Sequence, residues 1–274
     1  MGFDYQKYIR PGKLPHIWCP GCGHGIVMKG LIRAIDALSL DKDMTAIVSG
    51  IGCASRLPGY LDFCTLHTTH GRGVAFATGI KMAKPEMNVI CVGGDGDGVA
   101  IGGNHFIHAC RRNIDITYLI MNNNIYGMTG GQFSPTTPYG AKASTTPYGN
   151  PDPPFDIARL AIGAGATFVA RGTAFHASQI DKLLMEAISH KGFSVVEIMD
   201  SCPTTYGRKN KFKSVIEMMN QLKEIAVPVA AADKMPPEKL QGKVLTGVLH
   251  REDKPEYVEE YGRLVERVRE SMES

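Results

Sequence analysis

Residues 88–98 read NVICVGGDGDG, an apolar run that passes directly into glycines and two aspartates. The apolar half has the length and β-branched content of a buried strand, and the glycine-rich half predicts a turn that opens a helix. Strand-length apolar runs of this kind alternate with helical patterns along the chain, which is typical of repeated strand-helix-strand units. We therefore expect an α/β fold, a doubly wound, mostly parallel sheet with helices on both faces.

The alternating pattern predicts five strands, and the apolar periodicity between and after them predicts seven helices. The strands are Ala46–Ser49, Asn88–Val92, Ile116–Met121, Thr167–Ala170 and Ser194–Ile198. The helices are Gly25–Leu38, Gly73–Ala83, Gly98–Arg111, Phe155–Ala164, Ala177–Ser189, Ser214–Glu224 and Tyr257–Glu273. The sheet pattern is expected to stop near Cys202, and the long Gly127–Pro154 stretch reads as a functional loop.

Composition limits the function classes. The chain has 274 residues, is 43% hydrophobic and carries a net charge of +3, which fits a globular protein and does not favour nucleic-acid binding. No apolar run reaches the ~20 residues that span a bilayer. The first fifteen residues lack the apolar core of a signal peptide, so we expect a cytoplasmic protein without a membrane segment.

Polar side chains follow two neighbouring predicted strands. Asp95 lies in the glycine-rich turn after residue 92, and residues 122–127 read NNNIYG after the next strand. Mg²⁺ prefers octahedral oxygen ligands, and Asp95, Asn123 and the carbonyl of Ile125 supply such a set beside a diphosphate. The glycines allow backbone N–H groups to approach the phosphates at the start of the following helix.

Each of these motifs alone is also common in ordinary turns. A nicotinamide dinucleotide site is a weaker alternative, because no Gly-x-Gly-x-x-Gly opens a helix with an acidic residue about 20 positions later. The spacing of 28 residues from Asp95 to Asn123, with both residues at strand ends, resembles the signature of thiamine diphosphate enzymes.

Four of the seven cysteines stand in chemically suggestive positions. Cys19 and Cys22 form a Cys-x-x-Cys pair, which alone favours zinc about as much as iron. Cys53 and Cys202 follow predicted strands, so in a parallel sheet both emerge at the edge that carries Asp95. Four thiolates beside the diphosphate site favour a cubic iron-sulfur cluster. The other three lie in apolar patterns and are expected in the core: Cys64, Cys91 and Cys110.

Together these motifs resemble the beta subunit of 2-oxoacid:ferredoxin oxidoreductases, most closely the 2-oxoglutarate type. The resemblance spans nearly the whole chain. It rests on IWCPGCGH at 17–24, GIGC at 50–53, HTTHGR at 67–72, GDGD at 94–97, residues 122–131 and CPT at 202–204.

The resemblance implies three bound groups. A [4Fe-4S] cluster would be held by Cys19, Cys22, Cys53 and Cys202, and Mg²⁺ by Asp95, Asn123 and Ile125. Thiamine diphosphate would contact Ile51, Gly52, Cys53, Ala54, His70, Gly94, Gly96, Asp97, Gly127 and Met128. Many relatives carry a small serine-like residue where this chain has Ala54. A contact through the backbone of residue 54 would tolerate this difference. The implied domains are a thiamine diphosphate-binding domain with an N-terminal cluster-ligand segment, 1–201, and a C-terminal arm with the fourth cluster ligand, 202–274.

The implied reaction is oxidative decarboxylation of a 2-oxoacid with coenzyme A, electrons passing through the cluster to ferredoxin. Thiamine enzymes also need a carboxylate against the aminopyrimidine ring, and no motif of this chain positions a glutamate for it. The resemblance places that glutamate on an alpha subunit, so we expect a heterodimer whose alpha-beta pairs dimerise. Residues 127–154 would suit the interface.

Two further features carry hypotheses about partners. Arg56 and Arg72 are candidates to bind the distal carboxylate of 2-oxoglutarate, although either also fits a structural or phosphate-facing role. The basic run from Arg208 to Lys213 follows a cluster ligand and would attract an acidic ferredoxin, or serve as a solvated arm. Pyruvate or a branched-chain 2-oxoacid is the alternative substrate. The rival functions are a non-redox thiamine-dependent decarboxylase with structural zinc and a non-catalytic scaffold.

Overall fold

The computed structural model describes residues 3–273, whose centre is an eight-stranded sheet in the order β2-β1-β3-β4-β8-β7-β10-β9. All pairs are parallel except β10 with β7. A separate hairpin joins β5 and β6. The strands are β1 Thr45–Ser49, β2 Cys64–His67, β3 Asn88–Gly94, β4 Ile116–Asn122, β5 Ile125–Tyr126, β6 Gln132–Phe133, β7 Phe168–Thr173, β8 Phe193–Met199, β9 Ala226–Pro228 and β10 Val244–Arg251.

Helices cover both faces of the sheet, because alternate strand residues are apolar on each side. Ile47, Ile90 and Leu119 pack against α1 and α5, whereas Val48 and Cys91 pack on the opposite face against α2, α3 and α4. The helices are α1 His24–Ala37, α2 Gly73–Ala83, α3 Gly103–Arg112, α4 Ile157–Ala164, α5 Ala177–Ser189, α6 Val215–Ile225, α7 Val229–Ala232, α8 Pro237–Leu240 and α9 Tyr257–Glu273.

The strand order creates a crevice between β1 and β3. After β1 the chain moves outward to the edge strand β2, and after β3 it continues in the opposite direction to β4. Loops that leave neighbouring parallel strands in opposite directions open a cleft at the carboxyl ends, where α/β folds bind ligands. The loops in this cleft begin at Gly50 and at Asp95.

The predicted fold class is confirmed, and the five predicted strands all occur within three residues of their expected bounds, β7 differing most because it continues to Thr173. The predicted helix Gly98–Arg111 is divided instead, with a π-helical segment at Gly96–Ile101 before α3. No helix among residues 3–273 is long and apolar enough to cross a membrane.

Two expectations are wrong. The sheet does not stop at Cys202, because β10 pairs with β7 and β9 pairs with β10. Most of β10 is only half-buried and it bulges between Val248 and His250, so its residues lack clean apolar alternation. Cys64 is exposed rather than part of the core, because it lies on the edge strand β2, whereas Cys91 and Cys110 are buried as expected.

The packing of α1 on α5 gives a stability prediction. A Cβ on Gly30 would lie 2.6 Å from Ile180 Cγ2, so Gly30→Ala overpacks this contact and is expected to destabilise the chain by about 1–3 kcal/mol. Gly79 on α2 has no atom within 4 Å of the equivalent position, so Gly79→Ala should stabilise by about 0.5–1 kcal/mol. Thermal melts of both variants test this, and equal shifts would contradict the packing argument.

Candidate functional site

A single cavity at the β1–β3 cleft is lined by all the residues that sequence analysis assigned to the diphosphate and Mg²⁺ sites. They are Ile51, Gly52, Cys53, Ala54, His70, Gly94, Asp95, Gly96, Asp97, Asn123, Ile125, Gly127 and Met128. The structure therefore brings together loops that follow β1, β2, β3 and β4. The roles of the individual residues stay predictions, whereas their convergence is a property of the fold.

Asp97 fixes the loops around the cavity. One oxygen of its buried carboxylate, Oδ1, accepts hydrogen bonds from the backbone N–H of Ile51 at 3.0 Å and of Gly71 at 2.8 Å. The same oxygen lies 2.7 Å from His70 Nδ1. Gly50 must be glycine because a Cβ there would collide with the Asp97 carboxylate. Asp97 thus ties the loops after β1 and β2 to the loop after β3.

His70 is oriented by this contact. With Nδ1 donating to the carboxylate, the neutral ring leaves Nε2 as its acceptor. The His70 side chain is partly exposed, lines the cavity, and its ring meets that of Tyr126 edge-on with the centroids 6.1 Å apart. His70 is therefore placed to contact a ligand in the cavity while Asp97 fixes its tautomer.

Asp95 is a carboxylate held in a dry position, with 2% of its surface exposed. Ser134 and Thr136 both donate hydroxyl hydrogen bonds to its Oδ2 at 2.6 Å. Burial raises the pKa of Asp95, and these two hydrogen bonds only partly offset that effect. A buried carboxylate of this kind is stabilised by a cation.

The residues present fit a hard divalent cation with a diphosphate. Asp95 supplies a carboxylate, Asn123 supplies an amide oxygen from the same cavity wall, and Ile125 supplies a backbone carbonyl. These are oxygen donors of the types that Mg²⁺ takes. Asn123 Oδ1 also accepts from Ile125 N at 3.3 Å, which fixes the orientation of its side chain. The oxygen donors of the site are therefore of the kinds that bind Mg²⁺.

The four predicted cluster ligands converge beside this cavity. Cys19 and Cys22 share a tight turn closed by a 3.0 Å hydrogen bond from Cys22 N to Cys19 O. A Cβ on Gly127 would lie 3.3 Å from Cys202 Sγ and 3.8 Å from Cys53 Sγ, so both sulfurs approach one glycine of the cavity wall. Of the four, Cys53 alone also lines the cavity.

The neighbouring thiols also affect the ionisation of Cys53. Burial, followed by the nearness of Cys22, Cys202 and Cys19, raises the pKa of Cys53 to about 12. Thiols held this close to one another are suited to a metal centre, since a bound metal stabilises the thiolates. The residues present therefore fit a four-thiolate metal group.

Sequence reasoning missed a buried pair between the cysteines and the cavity. His24 lines the cavity and is hydrogen-bonded through Nδ1 to Asp200, 176 residues away in the chain. Burial opposes charge on His24, but Asp200 raises its pKa overall. Its Nε2 has no hydrogen-bond partner in the described structure, and Cys22, His24 and Asp200 present ligand atoms within 4.8 Å of one another. The only sequence signal was the position of each residue next to a cysteine motif.

Ser134 and Thr136, which hold Asp95, were also missed. Both lie in the 127–154 loop, whose composition shows no periodicity. The structure orders this loop through Asn150, 2% exposed, which donates from Nδ2 to the carbonyls of Thr137 and Asp152. No local sequence pattern around Ser134 or Thr136 indicates that their hydroxyl groups contact Asp95.

Two other candidates lie outside the cavity. Arg56 and Arg72 are both exposed, and neither lines the cavity that holds Asp95. Arg72 Nη1 instead contacts the carbonyl of Ile101 at 3.5 Å. The structure of this chain alone therefore leaves their part in substrate binding a prediction.

Known proteins match this arrangement. Residues 50–198 match the family model "Thiamine pyrophosphate enzyme, C-terminal TPP binding domain". A solved 2-oxoglutarate:ferredoxin oxidoreductase from Magnetococcus marinus, with 2-oxoglutarate, coenzyme A and succinyl-CoA bound, superposes with a TM-score of 0.86 at 36% identity. The superposition covers 96% of this chain and 90% of that one.

Curated relatives agree with the structural match. The 2-oxoglutarate synthase subunit KorB of Methanocaldococcus jannaschii is 51% identical over 96% of this chain and 97% of its own length. The subunit KorB of Archaeoglobus fulgidus is 60% identical over 74% of this chain and 76% of its own length. Identity of 51% over nearly the whole of both chains shows common fold and descent, and the chain belongs to the KorB family of 2-oxoacid:ferredoxin oxidoreductase beta subunits.

Proposed function

We propose that this chain is the beta subunit of a heterodimeric enzyme that converts 2-oxoglutarate and coenzyme A to succinyl-CoA and CO₂, and reduces ferredoxin. The observation that carries the proposal is Cys53, which lines the diphosphate cavity and also belongs to the set of four converging cysteines. A redox group held by Cys53 would therefore lie against a thiamine diphosphate bound in the cavity.

The residues of the site divide between three groups. Asp95, Asn123 and Ile125 would hold Mg²⁺, the cavity walls would hold thiamine diphosphate, and the four cysteines would hold a [4Fe-4S] cluster. When bound, thiamine diphosphate supplies a carbon nucleophile for decarboxylating 2-oxoacids, and the cluster supplies one-electron transfer.

The residues of this chain hold the loops and the polar side chains of the cavity in position. Asp97 connects three loops of the cavity through its hydrogen bonds to Ile51, His70 and Gly71. Ser134 and Thr136 fix the rotamer of Asp95 and leave its Oδ1 without a side-chain partner for a cation. His70 lines the cavity, and with Nδ1 hydrogen-bonded to Asp97 its ring would hold or accept a proton at Nε2.

A partner chain is needed to complete the site. The cavity offers about 50 Å³, well below the roughly 300–1,000 Å³ of complete small-molecule pockets. No glutamate of residues 3–273 lines it, so the carboxylate that thiamine needs against its aminopyrimidine ring is supplied by an alpha subunit. We infer that the 127–154 loop contacts that subunit and that alpha-beta pairs dimerise in the cytoplasm.

Succinyl-CoA formation is the preferred reaction because the solved relative holds 2-oxoglutarate and coenzyme A and the closely similar curated chains are named for 2-oxoglutarate. In the complex, Arg56 or Arg72 would pair with the distal carboxylate of the substrate. We propose that residues 1–201 form the thiamine diphosphate-binding part, and that residues 202–274 carry the fourth cysteine and add β10 and β9 to the same sheet.

The test is anaerobic co-expression with the alpha subunit, followed by viologen reduction with a panel of 2-oxoacids. We expect coenzyme A-dependent turnover, with 2-oxoglutarate preferred over pyruvate and branched-chain 2-oxoacids, and about four irons per beta chain. Preference for pyruvate would overturn the substrate assignment. Zinc in place of iron, with decarboxylation that reduces no viologen, would favour the non-redox alternative.

A further inference from the structure

A dense group of cations follows the fourth cysteine. Arg208, Lys209, Lys211 and Lys213 occupy six residues in a chain whose net charge is only +3. None of the four forms an ion pair with any residue that the structure describes. The carboxylate of Glu217 is the near acidic group, and it accepts from the backbone N–H of Lys213 rather than from its ammonium. We call residues 208–213 the basic segment.

The basic segment is ordered rather than a solvated arm. Asn210 is the anchor, since its Oδ1 accepts from Lys142 N at 2.8 Å and its Nδ2 donates to Lys142 O at 3.0 Å. The backbone also closes on itself through Phe212 N to Gly207 O at 3.0 Å. Lys142 is exposed and adds a further cation that the described structure leaves without an ion pair.

The segment lies directly beside the four cysteines. A Cβ on Gly131 would lie 3.5 Å from Lys209 Cε, and Gly131 is four residues after Gly127, the glycine that meets the sulfurs of Cys53 and Cys202. On the other side, Val215 packs against Gly21, between Cys19 and Cys22. The basic segment therefore approaches the Cys53 and Cys202 side through Lys209, and Val215, two residues after the segment, contacts the turn that holds Cys19 and Cys22.

Near the basic segment the chain also has an exposed cysteine and an exposed apolar residue. Cys19 is exposed, and Ile216, the neighbour of Val215, is 71% exposed. A small apolar centre with a charged rim is the usual composition of a transient protein interface. Unpaired cations at such a rim mainly accelerate encounter with a partner of opposite charge.

We propose that the basic segment, with Lys142 and Ile216, is the docking surface for the acidic electron carrier, a ferredoxin. The proposal rests on the proposed function, since it needs a redox cluster at the four cysteines. With a [4Fe-4S] cluster bound at the four cysteines, one electron would pass from the reduced cluster to the oxidised ferredoxin at each docking, with no proton or group transferred. The unpaired cations steer the carrier to the face where Cys19 is exposed.

The experiment compares two double variants of the purified alpha-beta complex. Lys211→Gln/Lys213→Gln removes two charges from the basic segment. Arg267→Gln/Arg269→Gln removes two charges from α9. The start of this helix is hydrogen-bonded to the amino end of β4, since Tyr257 N donates to Asn113 O and Glu256, just before the helix, accepts from Asp115 N. The four cysteines lie at the opposite, carboxyl end of the strands. Both pairs are exposed and neither forms an ion pair in the described structure.

For the basic-segment variant we expect the KM for an acidic ferredoxin to rise about tenfold at low ionic strength, with a shallower dependence of rate on salt. Viologen reduction should be unchanged, because a small dye needs no docking surface. The α9 variant should match the wild type in both assays. If the basic-segment variant keeps the wild-type KM and salt dependence, the docking proposal is overturned.

Other outcomes separate the docking surface from the proposed function. A raised KM for coenzyme A with an unchanged KM for ferredoxin would assign the cations to the coenzyme and overturn the docking proposal. Loss of the alpha subunit on purification would assign them to the subunit interface, with the same consequence. A wild-type complex that binds ferredoxin in calorimetry, with affinity lowered only by the basic-segment variant, supports docking even if 2-oxoacid turnover is absent.

Discussion

The Cys202→Ala variant is expected to lose its iron and its ability to reduce viologen or ferredoxin, while the chain still folds. Cys202 approaches Gly127 together with Cys53, and its sulfur lies 2.9 Å from the Thr205 hydroxyl. Removing the side chain therefore opens no cavity in the apolar core. A missing ligand should weaken metal binding by more than the roughly 10–100-fold loss that follows from disturbing an outer-shell partner.

The measurement is iron content and the visible absorption of anaerobically purified complex. Cys64→Ala is the matched control, because Cys64 is also unpaired but is exposed on β2 and does not approach the four cysteines. It should retain iron and activity. A Cys202→Ala complex with full iron content would remove Cys202 from the ligand set, and bound zinc in the wild type would remove the cluster itself.

The convergence of the four cysteines was predictable because it depends on simple rules. β1 and β8 are continuous buried strands, so their ends could be read from apolar runs. Parallel pairing then places the residues that follow them at one edge of the sheet. Cys53 and Cys202 come together for this reason, although 149 positions separate them in the sequence.

The missed contacts depend on tertiary detail that no local pattern records. His24 meets Asp200 because the start of α1 packs against the end of β8, and Asp95 meets Ser134 because an irregular loop folds back over the sheet edge. β10 escaped detection because an antiparallel strand at the side of the sheet is half-buried and bulged. Cys64 was misplaced because an apolar pattern does not distinguish an edge strand from a buried one.

The Asp95→Asn variant separates metal binding from folding, because the two effects have opposite signs. Asn keeps the shape of the side chain and an oxygen that accepts from Ser134 or Thr136. It removes the negative charge that a magnesium diphosphate needs. Since burial raises the pKa of Asp95, the ionised form is disfavoured in the folded chain. Replacing it should therefore leave the free protein equally or more stable, as at other functional sites that trade stability for activity.

When thiamine diphosphate and Mg²⁺ are bound, we expect the wild type to be more stable than Asp95→Asn. A coenzyme at 100 times its Kd stabilises the wild-type complex by about 2.7 kcal/mol, which corresponds to a rise in melting temperature of about 2–4 °C per kcal/mol. Asp95→Asn should show almost none of this rise with thiamine diphosphate and Mg²⁺, and its turnover should fall to background. Asp152→Asn, an exposed aspartate of the same loop that holds Ser134, is the matched control and should respond as the wild type does. An Asp95→Asn complex that is stabilised by the coenzyme to the wild-type extent would show that the cation is held elsewhere. Asp97 is the other carboxylate among the described residues that line the cavity, and its Oδ1 is already occupied by hydrogen bonds with Ile51, Gly71 and His70.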